Sequence, residues 1–383
     1  MRVLHLGKFF PPVPGGIERF SAALIQVQAA AGIQVAGLMH GGRGSPRAIT
    51  TAAGARVEFA RHYGRLLFVP VSPSWPLRLR GLLRGFRPDL IHVQAPNPSA
   101  FWMLGIPAAR RIPWIVHWHS DVPHDARHLG VRLAYPPYRL FESALLNHSA
   151  AVIATSEAYA DASAPLQSVR ERVRVVPLGI DDPSPVAGRG PALPWPSNGL
   201  RVLAVGRLSY YKGFQHLLDA IAALPGVSLL LIGDGERRGA LSARVRALGI
   251  GGRVTMAGNV EDSGLLQAYA DCDLVCLPSL DRAEAFGLVL LEAARAGKPV
   301  VASAVPGSGI NEVVVDGVTG LLAPPGDAAA LADRIARLAA DPALRQRMGR
   351  AGRERFERHY RIEAIGAQIS RVYERVLGRR APP

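Results

Sequence analysis

Leu274-Val275-Cys276-Leu277-Pro278-Ser279-Leu280-Asp281-Arg282-Ala283-Glu284-Ala285-Phe286-Gly287-Leu288-Val289-Leu290-Leu291-Glu292-Ala293 runs from a short apolar segment through a polar loop into a leucine-rich stretch. The first part, ending at Pro278, reads as a buried strand, and 286–296 reads as a helix closed by Gly297. Strand, loop and helix together make half of a strand–helix–strand crossover.

Outward from this segment the same unit recurs from end to end. Expected strands in the first half are 3–6, 34–39, 90–93, 114–117, 151–154 and 173–177. The pattern restarts at 201–205 and continues through 227–232, 254–257, 274–278, 299–303 and 320–322. Continuous apolar strands separated by helices imply parallel sheets covered on both faces. The fold class is therefore α/β, with two doubly wound, Rossmann-like domains. Pro and Gly crowd between the halves, which places a linker at 183–198 between domains 1–182 and 199–358. Two such domains would leave a cleft facing the C-terminal ends of both sheets. After Pro324 the chain is mostly helical. Periodicity does not say where the last segment, 359–383, packs; the first domain is one option.

Composition agrees with this picture. At 383 residues, 49% hydrophobic and 20% charged, the chain is globular and long enough for two cores. No apolar run approaches the ~18 residues of a spanning helix. The first residues read as a strand rather than a leader, so the cytoplasm is the expected location. Cys272 and Cys276, the two cysteines, lie on or beside one buried strand and read as small hydrophobes. A net charge of +15 could serve nucleic acid, anionic lipid or a phosphorylated substrate, or be arginine spread without purpose. No zinc-finger spacing or aromatic–basic motif supports nucleic acid. Residues 75–87 mix leucines with four arginines, and read either as an ordinary surface helix or as one lying on a membrane.

Four places carry chemistry. Gly15 and Gly16 stand at a strand-to-helix turn, where backbone N–H groups can approach an anion, although a tight structural turn explains them too. Gly206-Arg207 and Lys212-Gly213 follow a strand, and paired cations there suit a diphosphate. Glu284 and Glu292 would stand ~12 Å apart on a continuous helix. A glycosidase pair needs about 5–9.5 Å, so they suit instead two anchors on one long ligand, a sugar and a ribose. The N–H groups of Phe286, Gly287 and Leu288 would then face the phosphates between. In His117-Trp118-His119-Ser120-Asp121, His119 is the better candidate for touching a sugar hydroxyl. Asp271-Cys272-Asp273 has the form of a metal–diphosphate site but lies in an apolar context. His92, His117 and His119 lack a convincing zinc spacing.

In this order and spacing the motifs, with Asp316-Gly317-Val318-Thr319-Gly320-Leu321-Leu322, resemble those of the retaining family 4 glycosyltransferases of the GT-B fold. The likeness spans nearly the whole chain and looks nearest to the mannosyl- and rhamnosyltransferases of bacterial polysaccharide assembly. It implies that Arg207 and Lys212 neutralise a departing nucleoside diphosphate, Glu292 holds the ribose and Glu284 the hexose. It assigns donor binding also to Gly15, Gly16, Gly206 and Val260, and sugar contact to His119. No protein base, metal or cofactor is required; the co-substrate is a GDP- or UDP-hexose. The implied acceptor is a glycan or lipid-linked sugar at the inner face of the cytoplasmic membrane. An NDP-sugar epimerase on the same fold, and an inactive scaffold, are the alternatives.

Overall fold

A computed structural model of the chain describes residues 1–66, 69–122, 129–182, 190, 193–196 and 199–378. Most of the expected linker, 183–198, lies outside the described residues. Two units result: Met1–Gly179 with Ile362–Pro383, and Ile180–Arg361.

The first unit contains β1 (Arg2–Leu6), β2 (Gln34–Gly41), β3 (Ala48–Thr50), β4 (Arg56–Arg61), β5 (Arg65–Leu66), β6 (Val69–Pro70), β7 (Leu90–Ala95), β8 (Trp114–Trp118), β9 (Ala151–Ala154) and β10 (Val173–Val175). Its main sheet has the order β10-β9-β8-β7-β1-β2-β4-β3, parallel except where β3 returns antiparallel on β4. Strands β7, β8 and β9 are buried along their whole length, which is why they read as unbroken apolar runs. Strands β3 to β6 were not expected. β4, Arg56-Val57-Glu58-Phe59-Ala60-Arg61, alternates charged and apolar residues near the sheet edge.

The second unit contains β11 (Leu200–Val205), β12 (Val227–Ile232), β13 (Val254–Gly258), β14 (Leu274–Leu277), β15 (Val300–Ser303) and β16 (Gly320–Ala323). All pair in parallel in the order β13-β12-β11-β14-β15-β16. The chain winds outward from β11 in one direction and then, from β14, in the other. That reversal makes a switch point between β11 and β14, where loops diverge and leave a crevice. A core of Val202, Leu217, Leu231, Cys276 and Ile335 fills one side of the sheet. Both cysteines are free and buried, and burial pushes the Cys272 thiol up to about 12.

One expectation is corrected. The helix expected at 286–296 spans Leu288–Arg295, so Glu284 sits in the preceding turn and the ~12 Å spacing of a continuous helix does not apply. In the helix Trp75–Phe86, residues Trp75, Leu79, Leu82 and Leu83 are buried, while Arg80 and Arg84 face solvent. Most of its apolar face thus packs on the core, as the surface-helix reading expects, while Leu77 stays exposed.

The last helix, Ile362–Val376, joins the first unit by packing on the helix Gly16–Ala30. Gly366 makes the approach close: a Cβ there would lie 2.9 Å from Val27 Cγ2. Nearer its end Tyr373 is fully buried, and its hydroxyl accepts a 3.1 Å hydrogen bond from Gln28 Nε2. Gly366→Leu should therefore cost about 1–3 kcal/mol by overpacking. Denaturation of the purified variant measures it, and an unchanged midpoint would show that the two helices can move apart freely.

Candidate functional site

The loop leaving β11 is shaped by two glycines. Gly206 has φ 151, and a Cβ on it would lie 3.2 Å from Lys212 Nζ, so its bareness leaves room for the ammonium. Gly213, at φ 66, presses so closely on the loop leaving β14 that a Cβ would fall 2.0 Å from the Pro278 carbonyl oxygen. The N–H of Leu280 donates to the Tyr211 carbonyl at 2.7 Å, tying the two loops at the switch point.

Between them lies an ion pair. Lys212 Nζ stands 2.5 Å from Glu284 Oε2, with the side chains only 8% and 10% exposed. Ser279 Oγ donates to the same oxygen at 3.0 Å, and Ser308 Oγ donates to the Glu284 carbonyl at 2.5 Å. Asp281 shapes the turn, accepting from the N–H of Ala283 at 2.9 Å on its side chain and from that of Glu284 at 3.1 Å on its backbone. Burial works against the charge on Lys212, but Glu284, Tyr211 and Glu292 together hold the ammonium above the ordinary lysine value. The ammonium is thus charged and paired with Glu284 before any ligand arrives.

Arg207 is different. It is largely exposed, and its guanidinium reaches Glu236 at 3.4 Å. Glu236 belongs to the Gly233-Asp234-Gly235-Glu236 loop after β12, which packs so tightly that a Cβ on Gly233 would lie 2.0 Å from the Gly206 carbonyl oxygen. Sequence reasoning passed over this loop, although glycines flanking an Asp directly after a strand are a turn signal. Val260 is half-buried in the loop after β13, beside Gly264. Glu292, on the helix Leu288–Arg295, accepts a 2.6 Å hydrogen bond from the Tyr269 hydroxyl. Tyr269 carried no sequence signal beyond that of a buried helical aromatic. The Phe286 ring is buried edge-on against Tyr360, and Gly287 caps the helix that Leu288 begins. All these loops leave the C-terminal ends of parallel strands.

In the first unit Gly15 caps the helix Gly16–Ala30, and a Cβ on it would lie 2.0 Å from Glu18 Oε2. The Glu18 carboxyl thus folds over the helix start. Burial raises its pKa, while its own backbone N–H, Lys8 and Arg65 oppose the rise. His119 stands just past β8, its N–H donating to the Ala95 carbonyl at 3.0 Å. Its ring nitrogen Nε2 lies 2.6 Å from Gln94 Oε1, and burial drives its pKa down to about 3. Asp121 Oδ1 accepts from Trp118 Nε1 at 2.8 Å and from Ser163 Oγ at 2.6 Å, so this carboxylate anchors the loop. His92, His117 and His119 stack face to face, with centroids 5.4 and 4.4 Å apart, rather than converging their nitrogens on one point. His5 continues the row, 4.8 Å from His92.

With this geometry in place, comparison with known proteins is direct. Residues 14–182 match the family described as glycosyltransferase family 4, and residues 191–355 match glycosyl transferases group 1. The chain is 30% identical to the lipopolysaccharide core biosynthesis glycosyltransferase LpsE of Rhizobium meliloti, across 94% of this chain and 95% of that protein. It is 29% identical to the phosphatidyl-myo-inositol mannosyltransferase of Mycobacterium leprae, across 98% of this chain and 97% of that one. Among solved structures, the sucrose-phosphate synthase of Thermosynechococcus elongatus superposes with a TM-score of 0.79 at 26% identity, covering 99% of this chain and 100% of that one.

The buried histidines predict an acid limit. Burial lowers His5 and His40 to about 4 and His119 to about 3, with His92 and His117 also well below the ordinary value. An unfolded chain binds these protons from about pH 6.5 downward, whereas the folded chain refuses them. Stability is therefore full above about pH 6.5 and falls as pH drops toward 4, by up to about 1.4 kcal/mol per pH unit for each fully shifted group. Denaturation at a series of pH values measures this; a midpoint that does not fall between pH 7 and 5 would contradict neutral burial.

Proposed function

This chain belongs to the family 4 glycosyltransferases of the GT-B fold, and from that premise we propose that it transfers a hexose with retention of configuration. Mannose or a related sugar is favoured, drawn from a GDP- or UDP-hexose and delivered to a glycan or lipid-linked acceptor in polysaccharide or glycolipid synthesis. The observation that carries this reading is the Lys212–Glu284 pair at the β11/β14 switch point, with Arg207 exposed in the same loop. A lysine already charged and fixed in a dry site is placed to take the negative charge that grows on a departing diphosphate. Arg207, weakly held by Glu236, can turn its fork onto phosphate oxygens. Glu284 keeps one carboxylate oxygen on Lys212 and Ser279, leaving the other for a sugar hydroxyl. Glu292, oriented by Tyr269, is suited to a ribose.

In the step so catalysed, the bond from the anomeric carbon to the diphosphate oxygen breaks. The acceptor oxygen bonds that carbon on the same face, and its proton passes to the departing phosphate. No protein base is needed and no metal is invoked. The residues position the reactants and stabilise charge.

A lipid-linked acceptor would bring the enzyme to a membrane surface from the cytoplasmic side. No helix among the described residues is long and apolar enough to cross a bilayer. The helix Leu129–His148 instead exposes Leu133, Leu140 and Phe141 alongside Arg132 and Arg139, a combination suited to anionic lipid.

Two experiments test the reading. Incubation with GDP- and UDP-hexoses and candidate acceptors should release nucleoside diphosphate and give an α-linked product from an α-linked donor. Lys212→Ala or Glu284→Ala should cut turnover at least about tenfold. A product of inverted configuration, or full activity in both variants, would sink the proposal. Separately, vesicles containing phosphatidylglycerol should co-sediment the protein, and Leu140→Glu with Phe141→Glu should release it. Equal sedimentation of the double variant would remove this helix from the membrane contact.

A further inference from the structure

His119 and Gln94 hold each other in a way that decides which face of the imidazole chemistry can use. Gln94 lies on β7 in register with His117 on β8, so it shares the sheet face from which both histidines project. It is 1% exposed, and its Oε1 lies 2.6 Å from His119 Nε2. A neutral imidazole carries one proton, and the partner of one nitrogen fixes the state of the other. A carbonyl oxygen can only accept, so Nε2 must carry the proton and Nδ1 must be bare.

Among the described residues, that assignment falls to Gln94. His117 lies parallel to His119 at 4.4 Å, ring on ring, where neither can offer a nitrogen in the plane of the other. Phe20 meets the His119 ring edge-on at 5.6 Å and has no polar atom to give. Nδ1 of His119 has no hydrogen-bond partner among the described residues, although the side chain is buried. Buried polar atoms without partners are uncommon in a folded protein, and each calls for a reason. Three more such atoms lie at the end of the neighbouring strand: Gln94 Nε2, and both polar side-chain atoms of Asn97, where the chain leaves β7. Unmatched polar atoms also occur deeper in the sheet, at His117, His92 and His5, but those of His119, Gln94 and Asn97 lie at the C-terminal ends of β7 and β8, where open parallel sheets bind ligands.

We infer that Gln94 is the positioning residue of His119, locking it as the Nε2–H tautomer so that Nδ1 accepts a hydrogen bond from a hydroxyl of the sugar substrate. This rests on the transferase reading above, but its first test does not need activity. Nitrogen-15 NMR of the histidine side chains at pH 7.5 reports the tautomer directly, with His119 assigned by its loss in His119→Asn. The wild-type protein should show a protonated Nε2 and a bare Nδ1. A protonated Nδ1 would mean that the Gln94 amide is turned the other way, and would overturn the inference whatever the enzyme transfers. Gln94→Leu should lose the single tautomer and raise the KM for the nucleotide sugar about tenfold, with kcat changed less. Gln94→Glu, which can still accept from Nε2, should restore the tautomer. A Gln94→Leu protein that keeps both the wild-type tautomer and the wild-type KM would equally refute it. Failure of transfer by the wild-type protein with every nucleotide sugar would instead count against the proposed function, leaving the tautomer result standing.

Discussion

The ammonium of Lys212 and the carboxylate of Glu284 face each other at 2.5 Å almost out of contact with water. Placing two charges there costs several kcal/mol per ion unless geometry and further hydrogen bonds offset it. Much of the second unit's local architecture serves that condition. Gly206 leaves room for the ammonium, and Gly213 lets one loop lie directly on the Pro278 carbonyl of the other. Ser279 shares the carboxylate, while Ser308 pins the backbone that carries it. What results is a fixed charge at the C-terminal edge of a parallel sheet. Its reorganisation has already been done during folding, the condition under which electrostatic stabilisation is strongest.

The first unit meets the opposite problem, burying polar rings with no charge at all. Four imidazoles run in a row beneath the helix Gly16–Ala30, kept neutral by burial and held at intervals by Gln28, Gln94 and Tyr373. Tyr373 comes from the last helix of the chain, so the core of the first unit is complete only when the C-terminal segment has returned to it. A histidine that stays neutral at every physiological pH is a steady hydrogen-bond acceptor rather than a switch.

Much of this was legible beforehand because it depends on local chemistry. Strands buried on both faces must be apolar throughout, and those were read within a residue or two of their ends. Gly206, Lys212, Glu284 and Glu292 could be picked out because charged residues beside glycines at strand ends have few structural uses. Other parts gave no such sign. β4 alternates like a surface segment, and the helix carrying Glu292 begins two residues later than its apolar pattern suggests. Tyr269 and Ser308 look like any buried aromatic or loop serine. Only their partners, distant in the chain, give them meaning.

The sequence by itself determined the alternation of strands and helices, the division into two parallel sheets and the residue types gathered at their C-terminal edges. These follow from periodicity, steric limits on glycine and the cost of burying charge, all of which act over a few neighbours. Tertiary structure alone decided that Lys212 pairs with Glu284, that Tyr269 orients Glu292, that Gln94 faces His119, and that the last helix closes the first unit. Each of those contacts joins residues many positions apart. Their distances are set by sheet order and loop closure, and no local pattern in the chain encodes them.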